Sequence, residues 1–133
     1  MGQRLTAFEK RIEIRWSDLD SSRHVNNSVY LAYLEEVRTA WLARALQDVD
    51  LHDFVLARIA IDFKRELTLD DEIAVARCTL AGLGTSSIRT TEVIATQGGE
   101  VAAEAEAVVV ARDSETGRSR PLTAGERSAL TDE

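Results

Sequence analysis

From Ser28 to Gln47 the chain carries Tyr30, Tyr33, Leu34, Val37, Trp41, Ala45 and Leu46 at steps of three and four. Such a stripe gathers on one side only in a helix. No glycine or proline interrupts it, and Asn26 or Asn27 stands where an N-cap belongs. The spacing predicts a helix of about 17 residues, roughly 25 Å long. Glu35, Arg38 and Gln47 fall on the opposite, solvent-facing stripe, with Glu36 and Arg44 nearer the boundary. A long helix with one apolar stripe needs a surface to bury it, and the rest of the chain supplies strands.

Upstream the period is two. Phe8, Ile12, Ile14 and Trp16 share one face of a strand, with Glu9, Arg11, Glu13 and Arg15 on the other. Ser17 to Asn27 lacks periodicity and reads as a loop of about ten residues, long enough to suggest a function. Downstream, Val55, Ala57, Ile59, Ile61 and Phe63 alternate with Arg58, Asp62 and Lys64 in a second strand. Asp70-Asp71-Glu72 turns into a third, Ile73 to Leu80, and Gly82-Leu83-Gly84 leads to a fourth, about Ser86 to Thr96. Gln97-Gly98-Gly99-Glu100 is a hairpin turn, because glycine supplies positive φ, and a fifth strand runs to Arg112. Nothing repeats internally. The order is strand, long helix, then four strands suited to an antiparallel meander, an α+β arrangement. After Asp113 the sequence predicts a loose tail from about residue 114, with a short helical turn near Glu126.

At 133 residues the chain suits a single domain, residues 1–133, without a disulfide or metal staple. Its one cysteine, Cys78, and the absence of a basic-then-apolar start point to the cytoplasm. No apolar run approaches the roughly 20 residues that span a bilayer; the longest, Ala102 to Ala111, carries Glu104 and Glu106. Sixteen basic against 23 acidic residues, a formal net charge of −7, argue against nucleic-acid binding. Five strands make a sheet roughly 20 Å wide, and one helix about 10 Å across leaves half of its face bare. That bare face and the open sheet edges predict a homodimer or a homotetramer built as a dimer of dimers.

Chemistry concentrates between Trp16 and Tyr30, where Asp18, Asp20, His24, Asn26 and Asn27 crowd the loop that opens the helix. Two readings stand on the residues alone. Asp, Ser and Asn satisfy free backbone amides at most helix starts; the same groups also suit catalysis. Metal binding has little support, because the only other histidine, His52, lies beyond the helix and no cysteine or histidine cluster accompanies either.

The pattern D-x-D-x-x-x-H-V-N-N-x-x-Y (Asp18 to Tyr30), followed by L-x-Y-L-E-E-V-R (Leu31 to Arg38), resembles the hydroxybenzoyl-CoA thioesterase family of hotdog-fold proteins. The likeness is strongest to its acyl-CoA thioesterase-like branch with His-Val-Asn-Asn. It covers nearly the whole chain, including Gly84 to Ser87 as a G-x-S-S turn.

The resemblance implies a hotdog fold, a five-stranded antiparallel sheet wrapped around one long helix. It also implies hydrolysis of acyl-CoA or aryl-CoA thioesters to free acid and CoA, without a cofactor. Asp20 matches the carboxylate acting as general base or nucleophile, ionised at neutral pH, and Asp18 the more structural aspartate. The backbone at Asn27 matches the oxyanion donor, where the helix end carries about half a positive charge. His24 orients Asn26 or hydrogen-bonds the substrate carbonyl, or else is a structural histidine bonding backbone groups of its loop. Asn26 and Tyr30 are substrate-side candidates, and Glu35 and Glu36 are second choices as catalytic carboxylates.

In the family the coenzyme lies across a subunit boundary, which makes Arg58, Lys64, Arg65, Arg89, Ser86 and Ser87 its candidate contacts. Arg23 stands where the family often has glycine; a side chain there resists positive φ and predicts either an altered loop or a pairing with Asp18 or Asp20. Hydrolysis of acyl carrier protein thioesters, and binding of acyl-CoA without hydrolysis, remain the alternatives.

Overall fold

The computed structural model describes residues 7–47 and 53–131, so His52 lies outside the described residues. Its elements are β1 (Phe8–Glu13), α1 (Asn27–Ala45), β2 (Phe54–Phe63), β3 (Ile73–Leu83), β4 (Ser87–Thr96), β5 (Val101–Ala111) and α2 (Ala124–Thr131). They form the expected α+β hotdog arrangement, with all strand pairs antiparallel in the order β1-β3-β4-β5-β2.

Helix α1 begins as its sequence demands. Asn26 caps it, its side-chain oxygen accepting from the Ser28 amide at 2.9 Å. Tyr30, Tyr33, Leu34 and Val37 are buried against β1, β3 and β4. Arg38, expected in solvent, is buried as well. Its guanidinium donates from Nε and Nη2 to the two carboxylate oxygens of Glu92 on β4, at 2.8 and 2.9 Å. Thr90 donates to the same carboxylate at 2.7 Å. Two buried charges are tolerable when each satisfies the other in this bidentate way, and the helix stripe alone could not disclose a partner 54 residues away. Cys78 lies beside them, its thiol pushed up by burial and by the Glu92 charge.

The meander holds for β3, β4 and β5, with Gly99 at φ 94° in the tight turn before β5. Strand β2, however, lies beside β5 at the sheet's edge rather than beside β3. The connection from β2 to β3 therefore crosses the sheet. Leu67, fully buried, anchors that crossing, and its carbonyl accepts from the Val25 amide at 2.8 Å. Tyr30 ties the same segment to α1, its hydroxyl accepting from the Leu67 amide at 3.0 Å and donating to the Arg65 carbonyl at 3.2 Å. The crossing, the loop after β1 and the start of α1 thus meet at one place.

Two other expectations change. Strand β1 stops at Glu13, and Trp16 opens a single 3-10 turn, Trp16–Asp18, that lifts its ring off the buried face; it is 79% exposed. The tail docks as the two-turn helix α2, with Leu122 and Leu130 buried against Leu42, Leu46, Ile88 and Val109. Thr123 and Glu126 cap it reciprocally, and Arg120 clamps Glu126. A second helix on the same face therefore extends the cover left by α1. The β2 edge stays open, with Leu56 48% and Phe63 45% exposed.

Candidate active site

Asp18 and Asp20 share a motif and have opposite fates. Asp18 is buried; its carboxylate accepts from the Arg15 amide at 3.0 Å, the Arg15 guanidinium at 3.3 Å and the Tyr33 hydroxyl at 2.7 Å. Burial pushes its pKa up, but these bonds and the Arg15 charge outweigh burial and hold it below the ordinary value. Tyr33 is pushed the other way, by burial and by the neighbouring carboxylate. Asp18 is therefore a rivet between the loop and α1.

Two residues on, Leu19 bridges Val25, and between them the chain makes a small hairpin. The Asp20 amide donates to the His24 carbonyl and the Arg23 amide to the Asp20 carbonyl, both at 2.9 Å. A turn of this kind ends on a residue in the left-handed region, which is why glycine suits it. Arg23 occupies that position at φ 69°. The loop keeps the turn despite the side chain, and Arg23 pairs with neither Asp18 nor Asp20: its guanidinium has no partner among the described residues.

The turn presents Asp20 to solvent. Its Oδ1 accepts from both the amide and the hydroxyl of Ser22, and these bonds, the hydroxyl first, hold its pKa below the ordinary value. A chain of polar contacts continues from there. Ser22 Oγ lies 3.3 Å from His24 Nδ1, and His24 Nε2 lies 3.2 Å from a carboxylate oxygen of Glu66 on the crossing segment. His24 thus sits between its own loop and Glu66, while Asn26 is occupied in capping.

At the start of α1 the Ser28 amide is taken by the Asn26 side chain and the Val29 amide by the Asn26 carbonyl. The Asn27 amide has no acceptor among the described residues. It is the donor that this helix end leaves unclaimed.

Two cavities open on either side of this cluster, and Asp20 and His24 line both. The larger, about 850 Å³, is walled by Trp16, Leu19, Arg23, Thr68 and Leu69. The smaller, about 530 Å³, is walled by Asn27, Tyr30, Phe63, Lys64, Arg65 and Glu66, with the Tyr30 and Phe63 rings meeting edge to face at 5.2 Å. Both sizes suit small ligands.

Asp20, His24, Asn27 and Tyr30 are thus brought together, with Asn26 beside them. Of the coenzyme candidates, Lys64 and Arg65 line the smaller cavity, already paired with Glu104 at 4.0 Å and with Asp71 at 3.2 Å. Arg58 and Arg89 do not join them within one chain. They lie in one row across Val108, five residues along their strands from the row of Phe63, Ala103 and Ile94. That is roughly 17 Å, and on the face turned away from α1. Ser87 is on that outer face too, packed against Gly84, and Ser86 lies in the β3–β4 turn. The sequence reading missed Ser22, Glu66, Trp16 and Leu69. Ser22 is legible from its place two residues after a carboxylate, the usual spacing of an Asx turn; Glu66 and Leu69 arrive through the crossing, which no local pattern announces.

Residues 14–130 match the model of the family described as the thioesterase-like superfamily. The chain belongs to that superfamily. The long-chain acyl-CoA thioesterase FadM of Escherichia coli (strain K12) is 29% identical over 127 residues, which span 92% of this chain and 96% of that protein. A thioesterase of Thermus thermophilus, crystallised with coenzyme A and Zn, is 34% identical, covers 92% of this chain and 90% of that one, and superposes with a TM-score of 0.84. The probable thioesterase YbaW of Escherichia coli is 30% identical, with coverage of 92% and 96% and a TM-score of 0.77. The fold of this superfamily member is accordingly the hotdog fold of solved thioesterases.

Proposed function

We propose that the chain hydrolyses acyl-CoA thioesters to the free acid and coenzyme A, with Asp20 as the catalytic carboxylate. The observation that carries this reading is the juxtaposition of an ionised carboxylate and an unclaimed helix-end amide beside two ligand-sized cavities. FadM and the coenzyme-bound Thermus enzyme agree with it.

Asp20 either draws a proton from the attacking water or attacks the carbonyl itself. In both routes the carbon–sulfur bond breaks and the thiolate leaves and takes up a proton; on the second route water then splits the acyl–Asp20 anhydride, which frees the acid and restores the carboxylate. The Asn27 amide donates to the oxyanion, an interaction commonly worth about 3 kcal/mol in the barrier. His24, bridged to Glu66, orients the substrate side of the turn. The coenzyme's phosphates take Arg58 and Arg89 from a second subunit, since one chain does not bring them to Asp20. This requires a homodimer, or a dimer of dimers. Among the described residues no helix is long and apolar enough to cross a membrane; the buried free thiol of Cys78 suits the reducing cytoplasm.

The test is thiol release from acetyl-, dodecanoyl- and benzoyl-CoA and from the same acyl groups on a carrier protein. Turnover of at least one CoA ester is expected. Release from carrier-protein donors alone would move the substrate to the carrier; release from none would refute hydrolysis.

A further inference from the structure

Trp16 is the most exposed large apolar side chain among the described residues, at 79% against 48% for the next, Leu56. It is not there through looseness. The turn that carries it, Trp16–Asp18, is riveted by the buried Asp18 carboxylate to Arg15 and Tyr33. Across the larger cavity Leu69 is 41% exposed on a second short turn, Leu69–Asp71, which Asp71 closes by accepting from the Thr68 amide at 2.9 Å. Leu19 reaches into the same space from the core. Three apolar groups, two of them on hydrogen-bonded turns, thus converge on a cavity that Asp20 and His24 also line. Rigid apolar walls that stay wet in the free protein gain most when an apolar ligand dries them.

We infer that the wall of Trp16, Leu19 and Leu69 seats the acyl chain of the substrate. The inference rests on the thioesterase reading and deepens it. A thioester has two arms, and the two cavities meeting at Asp20 can each take one. The smaller holds Asn27, Lys64 and Arg65 beside the Tyr30 and Phe63 rings and suits the carbonyl and pantetheine side. The larger carries the apolar wall and takes the other arm. Ser21, Arg23, Thr68 and Asp70 complete its lining. Trp16 is then the residue that sets chain-length preference, because each methylene lodged in an apolar site multiplies kcat/KM, commonly tenfold or more.

The sequence has two tryptophans, so Trp41→Phe leaves Trp16 as the only indole reporter. The probes are the S-dodecyl and S-ethyl thioethers of coenzyme A, which cannot be hydrolysed. The dodecyl probe is expected to shift Trp16 emission to the blue and to cut its quenching by acrylamide several-fold; the ethyl probe is expected to do neither. Alongside, Trp16→Ala is expected to lower kcat/KM for dodecanoyl-CoA at least about tenfold while acetyl-CoA changes less than about twofold. An indole already shielded in the free protein, as when a second copy covers it, would overturn the inference, as would equal losses at every chain length. Shielding by the dodecyl probe in a protein that releases no thiol would support the seat and overturn hydrolysis.

Discussion

Ser22 grips Asp20 through both its amide and its hydroxyl, and each bond favours the charged carboxylate over the acid. Asp20 therefore stays ionised to a lower pH than an ordinary aspartate, whose value is 3.8. A carbon-13 NMR titration of the Asp20 carboxyl should give a midpoint below that value. Ser22→Ala removes the stronger bond, so the midpoint should move up; an unmoved midpoint would show that the grip is absent in solution. At this scale much was legible. The buried, bonded place of Asp18, the exposure of Asp20 and the Asn26 cap follow from a short-range motif, where sequence neighbours are spatial neighbours. The alternation that placed Trp16 with Ile12 and Ile14 failed because the Asp18 rivet turns the chain out two residues earlier than the pattern suggests. The Arg23 strain was foreseen in its cause but not in its outcome: the turn keeps its left-handed residue, a cost of order 1 kcal/mol.

Among the elements, α1 is held in register by Arg38 and Glu92, a charged contact in an otherwise apolar helix–sheet seam. Removing one partner strands the other. Arg38→Met should cost about 3–5 kcal/mol in chemical denaturation, and the double change Arg38→Met, Glu92→Leu should recover most of it. A double variant as weak as the single one would mean that the pair contributes through something other than its buried charge. The periodicity predicted this helix well, since a stripe of apolar residues reports burial directly. It assigned Arg38 to solvent because a single sequence holds no sign of which distant carboxylate meets it. Helix α2 was missed as a docked element for a related reason: two turns carry too few apolar positions to define a stripe, and Leu122 and Leu130 become core only once Ile88 and Val109 are beside them.

For the whole molecule the strands were readable and their neighbours were not. Turn residues identify hairpins such as β4–β5, but β2 reaches its place beside β5 through a crossing that depends on tertiary burial of Leu67. The two sheet edges differ. Strand β1 is six residues long and carries Glu9, Lys10, Arg11 and Glu13, charges that discourage pairing. Strand β2 is ten residues long and exposes Leu56 and Phe63, so it is the edge that self-association should cover. Sedimentation equilibrium should give twice or four times the chain mass, and Leu56→Lys should lower it; a monomer at micromolar concentration would leave Arg58 and Arg89 without a route to the coenzyme. Hydrolysis by this chain turns on Asp20, and the most direct test is kcat for Asp20→Asn on the best acyl-CoA substrate, beside an unchanged thermal transition. The predicted loss is at least about a hundredfold, the usual scale of a general-base contribution; a folded variant turning over within a few-fold of the parent would contradict it.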